Sequence, residues 1–211
     1  MVNKDTIKYI IGIDEVGRGP IAGPVTVCAF LIKEGLFIDK QFPIGLTYGK
    51  LPQLRDSKKL SRKQREAWFE FLKVAKTEGL CDFAVSFVSS EMIDKFGIAK
   101  CIQKALNTSL SNLTKNYKLE TIHYKIMLDG GLKAPVEYVN QETIIKGDEL
   151  HPVISMASIV AKVTRDALMT KYGKVYPKYG FEKHSGYGTK AHYDAIKKHG
   201  QTSIHRKSFI H

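Results

Sequence analysis

The chain is 211 residues long, 43% apolar, and carries a formal net charge of +12 with a sequence pI of about 9.5. That length supports one domain with a full core and does not require a second, while the apolar fraction excludes a disordered chain. The charge excess points to a polyanionic partner, nucleic acid ahead of membrane, and no apolar run reaches the ~20 residues of a membrane-spanning helix.

Residues 1–9 are polar and lack the apolar core of a secretion signal. Cys28, Cys81 and Cys101 are far apart and stand in apolar surroundings. They read as reduced core residues of a cytosolic protein, with neither a disulfide framework nor a zinc site. A merely soluble basic protein would show the same charge, so the motifs must decide.

The first element is a β-prone run, Ile10, Ile11 and Ile13, with the adjacent acids Asp14 and Glu15 where that strand ends. Gly17-Arg18-Gly19-Pro20 and Gly23-Pro24 then turn the chain, and Val25, Val27, Ala29 and Leu31 alternate along a returning strand. An Asp-Glu pair in a turn is on its own an ordinary solvated loop. Here it is followed at once by an arginine between two glycines, a backbone suited to an anionic ligand. Neighbouring carboxylates raise each other's pKa unless a cation neutralises them, and oxygen-only ligands favour Mg²⁺ or Mn²⁺.

Residues 33–54 form an irregular surface excursion with Pro43, Gly45, Gly49 and Pro52. After Arg55-Asp56-Ser57-Lys58-Lys59-Leu60, the pair Ser61 and Gln64 predicts a capping box. The helix it opens buries Trp68, Leu72 and Ala75, with Phe71 beside them. Arg62, Lys63 and Arg65 crowd its first turn, where they oppose the helix dipole and hint at phosphate binding. Residues 82–89 alternate as a third strand, and Ser90 starts a helix. Ile98, Ile102, Leu106, Leu110 and Leu113 form a helical apolar stripe, with Gly97 as the break before it.

Residues 121–128 alternate again and run into Asp129-Gly130-Gly131. Residues 142–146 make a short strand leading through Gly147 to Asp148. A helix from about Pro152 to Asp166 follows, in which Ala157, Ser158 and Ala161 permit close approach to the sheet. Asp166 is expected to partner a nearby arginine or backbone amide. From Arg165 onwards ten basic residues face three acids. The interleaved aromatics of this segment suit gripping nucleic acid. Most of its tyrosines belong at the core edge, but Tyr187 stands between Gly186 and Gly188, where a core residue would be poorly anchored. His184, His192, His199 and His205 lack a partnering cysteine or a compact ligand spacing, which argues against zinc.

The stretch GIDEVGRGPIAGPV resembles the opening signature of ribonuclease HII, the type 2 ribonuclease H family. Four further blocks follow in the family's order: Asp56-Ser57-Lys58-Lys59-Leu60, Asp129-Gly130-Gly131, Lys146-Gly147-Asp148 with the helix after it, and the His184–Thr189 loop with the ending His205-Arg206-Lys207-Ser208-Phe209. Met156 departs mildly from the alanine usual in the family. The resemblance implies an α/β fold: a ribonuclease H-like mixed five-stranded sheet flanked by helices, with a helical C-terminal extension over roughly 165–211 of a single catalytic domain. It implies that Asp14, Glu15, Asp129 and Asp148 are the catalytic acids and ligate two divalent ions, Mg²⁺ or Mn²⁺. Substrate would be held by Gly17, Arg18, Gly19, Lys58, Ser158 and Tyr187. The expected substrates are RNA–DNA hybrids and duplex DNA containing a ribonucleotide. The expected state is a monomer without membrane association or an obligate protein partner. Three alternatives differ in testable ways: a ribonuclease HIII-like enzyme, a DNA-acting nuclease of the same fold, and a non-catalytic RNA-binding module.

Overall fold

The computed structural model describes residues 8–36, 59–115, 117 and 120–210. Most of the excursion over residues 33–54 lies outside them, as does Lys58. A five-stranded sheet carries the architecture: β1 (Tyr9–Val16), β2 (Val25–Lys33), β3 (Cys81–Val88), β4 (Tyr124–Asp129) and β5 (Gln141–Ile144), in the order β3-β2-β1-β4-β5. β1 is central, antiparallel to β2 and parallel to β4. β4 and β5 are parallel and β2 and β3 antiparallel, so the sheet is mixed.

Side chains alternate across a strand, and each face of β1 meets a different helical layer. Ile11 and Ile13 pack with Ile102, Leu106, Leu110 and Leu113 of α3 (Ile98–Thr114), the stripe expected from the sequence. Ile10 and Val16 share the other face with Phe30, with Trp68 and Leu72 of α1 (Arg62–Thr77) and with α5 (Pro152–Val175). Gly12 lies on this second face, where a Cβ would stand 2.3 Å from the Val153 carbonyl oxygen and 2.7 Å from the Ile154 nitrogen. The first turn of α5 therefore rests directly on the backbone of the central strand. Residues 153–161 are all buried, which explains why this part of α5 shows no polar stripe. Met156 is fully buried there.

The predicted capping box is present: Ser61 Oγ accepts from the Gln64 amide at 3.3 Å and Gln64 Oε1 accepts from the Ser61 amide at 2.8 Å. The basic first turn of α1 is partly neutralised within the helix. Arg62 Nε donates to Glu66 at 2.9 Å and Arg65 donates to the Leu60 carbonyl, so the hint of phosphate binding weakens for these two. Gly97, with φ of 81°, ends α2 (Ser90–Phe96) and opens α3. Residues 121–123 depart from the expected strand and form a single 3₁₀ turn ahead of β4.

Beyond the sheet, α5 runs on into α6 (Phe181–His184) and α7 (Lys190–His199). A small third core of Ala22, Met169, Tyr179, Phe181 and Ile204 ties this basic helical segment to the turn between β1 and β2. Among the described residues no helix is long and apolar enough to cross a membrane.

Candidate metal centre and substrate cleft

Parallel pairing of β1 with β4 aligns Ile13 with Leu128, so the next residues stand side by side: Asp129 at the end of β4, and Asp14 within β1, which runs on to Val16 rather than ending at the acids as expected. Asp148 stands just past a β-run and after glycine, as expected, but on a one-turn helix and after a strand that ends sooner than residue 146. β5 stops at Ile144, Lys146 adopts a left-handed conformation (φ 56°), and the one-turn helix α4 (Gly147–Leu150) carries Asp148 back over the sheet. The close approach needs glycine at 147. A Cβ there would meet Ile154 Cδ1 at 2.5 Å and Asp129 Oδ1 at 3.4 Å, and the Gly147 amide donates to that same Asp129 oxygen at 2.7 Å. Ser155 Oγ donates to the Asp148 carbonyl and fixes the turn from the α5 side.

One carboxylate oxygen from each of Asp14, Asp129 and Asp148 lies within 4.8 Å of the other two. Asp14 and Asp148 are buried. Burial holds the Asp14 carboxyl well above the usual carboxylate range. A hydrogen bond with the Ser158 side chain opposes that shift, and the charges of Glu15 and Asp129 add to it. The Glu15 amide also donates to Asp14 Oδ1 at 2.7 Å. Ser158, expected to contact substrate, is thus engaged with an acid of the cluster.

Glu15 starts from the opposite face of β1, as strand alternation requires. Its carboxylate lies 3.5 Å from Arg18 Nη1 and is not one of the three clustered groups. Asp166 also differs from expectation. Its partners are Lys162 at 2.8 Å and the Ser185 hydroxyl at 2.8 Å, rather than an arginine or a backbone amide.

Three hard oxygen donors at this spacing fit a divalent cation. An octahedral ion with bonds of about 2.1 Å brings ligand atoms within about 3–4 Å of one another. A cation would also offset the cost that the raised Asp14 pKa records.

Next to the acids, Gly17 is buried at φ 89°, while Arg18 and Gly19 are exposed and a Cβ on Gly19 would meet nothing within 4 Å. Tyr187 is 45% exposed. Its loop abuts this turn, since the Ile21 and Ala22 amides both donate to the Gly186 carbonyl at 2.9 and 3.2 Å. Lys59 was passed over in the sequence. Its ammonium pairs with Glu149 at 2.6 Å, so the stretch entering α1 is tied down beside Asp148.

The histidines form a relay behind Tyr187. The Thr202 amide donates to His205 Nδ1 at 2.8 Å, which leaves the proton of His205 on Nε2. That proton faces His192 Nε2 at 3.1 Å, and His192 Nδ1 donates to the Tyr187 carbonyl at 2.8 Å. His184 is fixed in the same way, accepting from the Gly186 amide and donating to the Tyr179 carbonyl. Nothing in the spacing of these histidines signals the arrangement, because most of the partners are backbone groups.

A family model described as Ribonuclease HII matches residues 11–211. The chain belongs to the ribonuclease HII family. It is 41% identical over 208 residues to the ribonuclease HII of Bacillus cytotoxicus, covering 99% of this chain and 71% of that protein. It is also 41% identical over 200 residues to the ribonuclease HII of Endomicrobium trichonymphae, covering 95% and 84%. In structure it resembles the ribonuclease H2 of Pyrococcus horikoshii, with a TM-score of 0.65 at 26% identity over 95% of this chain and 93% of that one. The ribonuclease HII in a complex with PCNA from Archaeoglobus fulgidus shares the fold at a TM-score of 0.66 and 23% identity, covering 96% of each chain. So does the Bst ribonuclease HIII bound to Mn²⁺, at 0.66 and 16%, covering 96% of this chain and 67% of that one. The protein is therefore a ribonuclease H, a metal-dependent endoribonuclease acting on RNA–DNA substrates. The acid cluster on its ribonuclease H-like sheet fits a divalent metal.

Proposed function

We propose that this ribonuclease hydrolyses the RNA strand of RNA–DNA hybrids and cuts on the 5′ side of single ribonucleotides embedded in duplex DNA, leaving 5′-phosphate and 3′-hydroxyl ends. The observation that carries the reading is the meeting of Asp14, Asp129 and Asp148 in one group beside an exposed glycine turn. These three, with Glu15 adjoining, would hold two Mg²⁺ or Mn²⁺ ions. Bound there, divalent cations supply an activated water and neutralise charge on the scissile phosphate and leaving oxygen.

The chain's own residues account for the rest. Ser158 holds the Asp14 carboxylate in place through its hydrogen bond. The exposed backbone of Arg18 and Gly19 is suited to reading the 2′-hydroxyl that distinguishes RNA from DNA. Tyr187 offers an aromatic face to the sugar beyond the cleaved position. Lys58 and the basic C-terminal helices would hold backbone phosphates, so binding weakens steeply with salt. A single domain working as a monomer, without an obligate partner, suffices for this chemistry.

Mapping the cut on a duplex with one embedded ribonucleotide, with and without Mg²⁺, tests the reading. A nick 5′ of the ribonucleotide that requires the cation is expected. Cutting of the matching all-DNA duplex, or cutting that persists in EDTA, would overturn it.

A further inference from the structure

Two arginines carry most of the hydrogen bonding inside the turn that joins β1 to β2, and neither has a role so far. Arg165, on α5, and Arg206, near the C-terminus, are each 0% exposed. Neither forms an ion pair among the described residues. Every one of their bonds goes instead to a main-chain carbonyl. Arg165 Nε donates to Pro24 at 2.9 Å, Nη2 to Ala22 at 3.2 Å and Nη1 to Ser185 at 2.9 Å. Arg206 Nε donates to Gly23 at 2.9 Å, Nη1 to Arg18 at 3.0 Å and Nη2 to Gly17 at 2.7 Å. Burial lowers the pKa of both, to about 10 for Arg165 and about 9 for Arg206, where the neighbouring Arg165 charge adds to the effect. Two adjacent desolvated cations are an expensive way to fill a core.

Their geometry explains what the arrangement achieves. A trans peptide points its carbonyl and the following N–H in opposite directions. Arg206 draws the Gly17 and Arg18 carbonyls inward, so the amides of Arg18 and Gly19 must face out, on the exposed side of the turn. Arg165 bonds the same turn and the Ser185 carbonyl together. Ser185 sits in the left-handed region (φ 47°), two residues before Tyr187, and its hydroxyl is held by Asp166. Gly186 packs so closely on the turn that a Cβ there would lie 2.3 Å from the Ala22 oxygen. A Cβ on Gly17 would lie 2.4 Å from Arg165 Nε, so the guanidinium presses directly on the turn's buried side.

We infer that Arg206 and Arg165 are positioning residues for ribonucleotide recognition: Arg206 aims the Arg18 and Gly19 amides at the substrate sugar, and Arg165 sets the Tyr187 loop at a fixed distance from them. This rests on the proposed reading of the turn and of Tyr187 as the parts that meet the ribonucleotide. The planar fork of donors is essential, because a lysine ammonium keeps the charge but cannot span the two carbonyls of Gly17 and Arg18 together with that of Gly23.

The test uses the full chain and the Arg206→Lys variant in EDTA at one fixed salt concentration. Affinity is measured for a duplex with one ribonucleotide and for the all-DNA duplex of the same sequence. The melting shift on adding Mg²⁺ is recorded separately. The variant is expected to lose about tenfold or more in affinity for the ribonucleotide duplex, the order expected for displaced donors. Its affinity for the DNA duplex should stay within about twofold, since that term comes from the outer basic surface, and its Mg²⁺ shift should be unchanged. A merely structural role would move all three together, and that result would overturn the inference, as would a retained ribonucleotide preference. Absence of preference in the wild-type protein would remove the reading of the site, and this inference with it. Should Arg206→Lys fail to fold, the wild-type ¹⁵N spectrum decides. The Arg18 and Gly19 amide signals must shift with the ribonucleotide duplex and not with the DNA duplex; if they respond equally to both, the inference fails.

Discussion

Replacing Gly12 by alanine adds one methyl group at the contact between β1 and α5, and its consequences can be worked from the coordinates. The new Cβ would stand 2.3 Å from the Val153 oxygen, 2.4 Å from the Val153 carbon and 2.7 Å from the Ile154 nitrogen. All three are main-chain atoms of a helix start, so no side chain can swing away. Ordinary contact of about 3.5 Å therefore requires the first turn of α5 to retreat by about 1 Å. Overpacking of this kind destabilises by about 1–3 kcal/mol. In a domain of this size that lowers the melting temperature by about 3–10 °C. The retreat also carries Ser158 from Asp14, Ser155 from the Asp148 carbonyl and Ile154 from Gly147. A misplacement of about 1 Å in a positioning contact is worth about 10²-fold in rate. Thermal denaturation and kcat/KM on an RNA–DNA hybrid, measured side by side, check both figures. Alanine also stabilises by restricting the unfolded chain. A melting temperature that rises, with kcat/KM within twofold of wild type, would refute the reasoning.

Asp14→Asn should abolish cleavage while hybrid binding stays largely intact. Because burial holds this carboxyl above its usual range, the variant should melt higher than wild type without metal and lose most of the upward shift that millimolar Mg²⁺ gives wild type; a full Mg²⁺ shift in the variant would count against Asp14 as a ligand. Tyr187→Ala should damage cutting at a single ribonucleotide more than cutting of long hybrids, in parallel single-turnover assays, and equal losses would remove its assigned role. Burial lowers the His192 pKa from 6.5 to about 4. The unfolded chain thus binds a proton below about pH 6.5 that the folded chain refuses until about pH 4. This contribution is complete above pH 6.5 and is lost as pH falls towards 4, by at most about 3 kcal/mol. Urea midpoints at pH 7 and 4.5 for wild type and His192→Gln isolate it from the carboxylates, and the variant should lose less stability on acidification; equal losses would contradict the neutral relay.

Much of the scaffold could be read from local pattern. The capping box at Ser61 and Gln64, the apolar stripe of α3 and the break at Gly97 each depend on residues within a few positions of one another, where spacing and structure correspond directly. The alignment of Asp14 with Asp129 was legible because both are acids at the ends of apolar runs, and parallel pairing put them in register. What could not be read was long-range or made of backbone. The left-handed turn at Lys146 and the one-turn helix that carries Asp148 are of this kind, because the decisive contact is an amide 18 residues from its acceptor. Glu15, which the signature groups with the other acids, leaves β1 on the face opposite Asp14, and that its carboxylate lies 3.5 Å from Arg18 could not be read from adjacency. Asp166 was assigned an arginine or amide partner and found Lys162 and Ser185. Arg165 and Arg206 were counted among basic surface residues because composition does not distinguish a guanidinium facing solvent from one facing carbonyls.

The bond from Arg206 to Gly17 spans 189 residues. The carbonyls it holds, those of Gly17, Arg18 and Gly23, are translated long before it, so the mouth of the cleft cannot take its final shape on the ribosome until residue 206 has emerged. A frameshift just ahead of residue 206 would spare the sheet and its acids yet leave the turn without its fastening. Contacts of such separation are also slow to close. Closure of this turn is accordingly expected after the acid cluster, whose last member is Asp148, has already assembled.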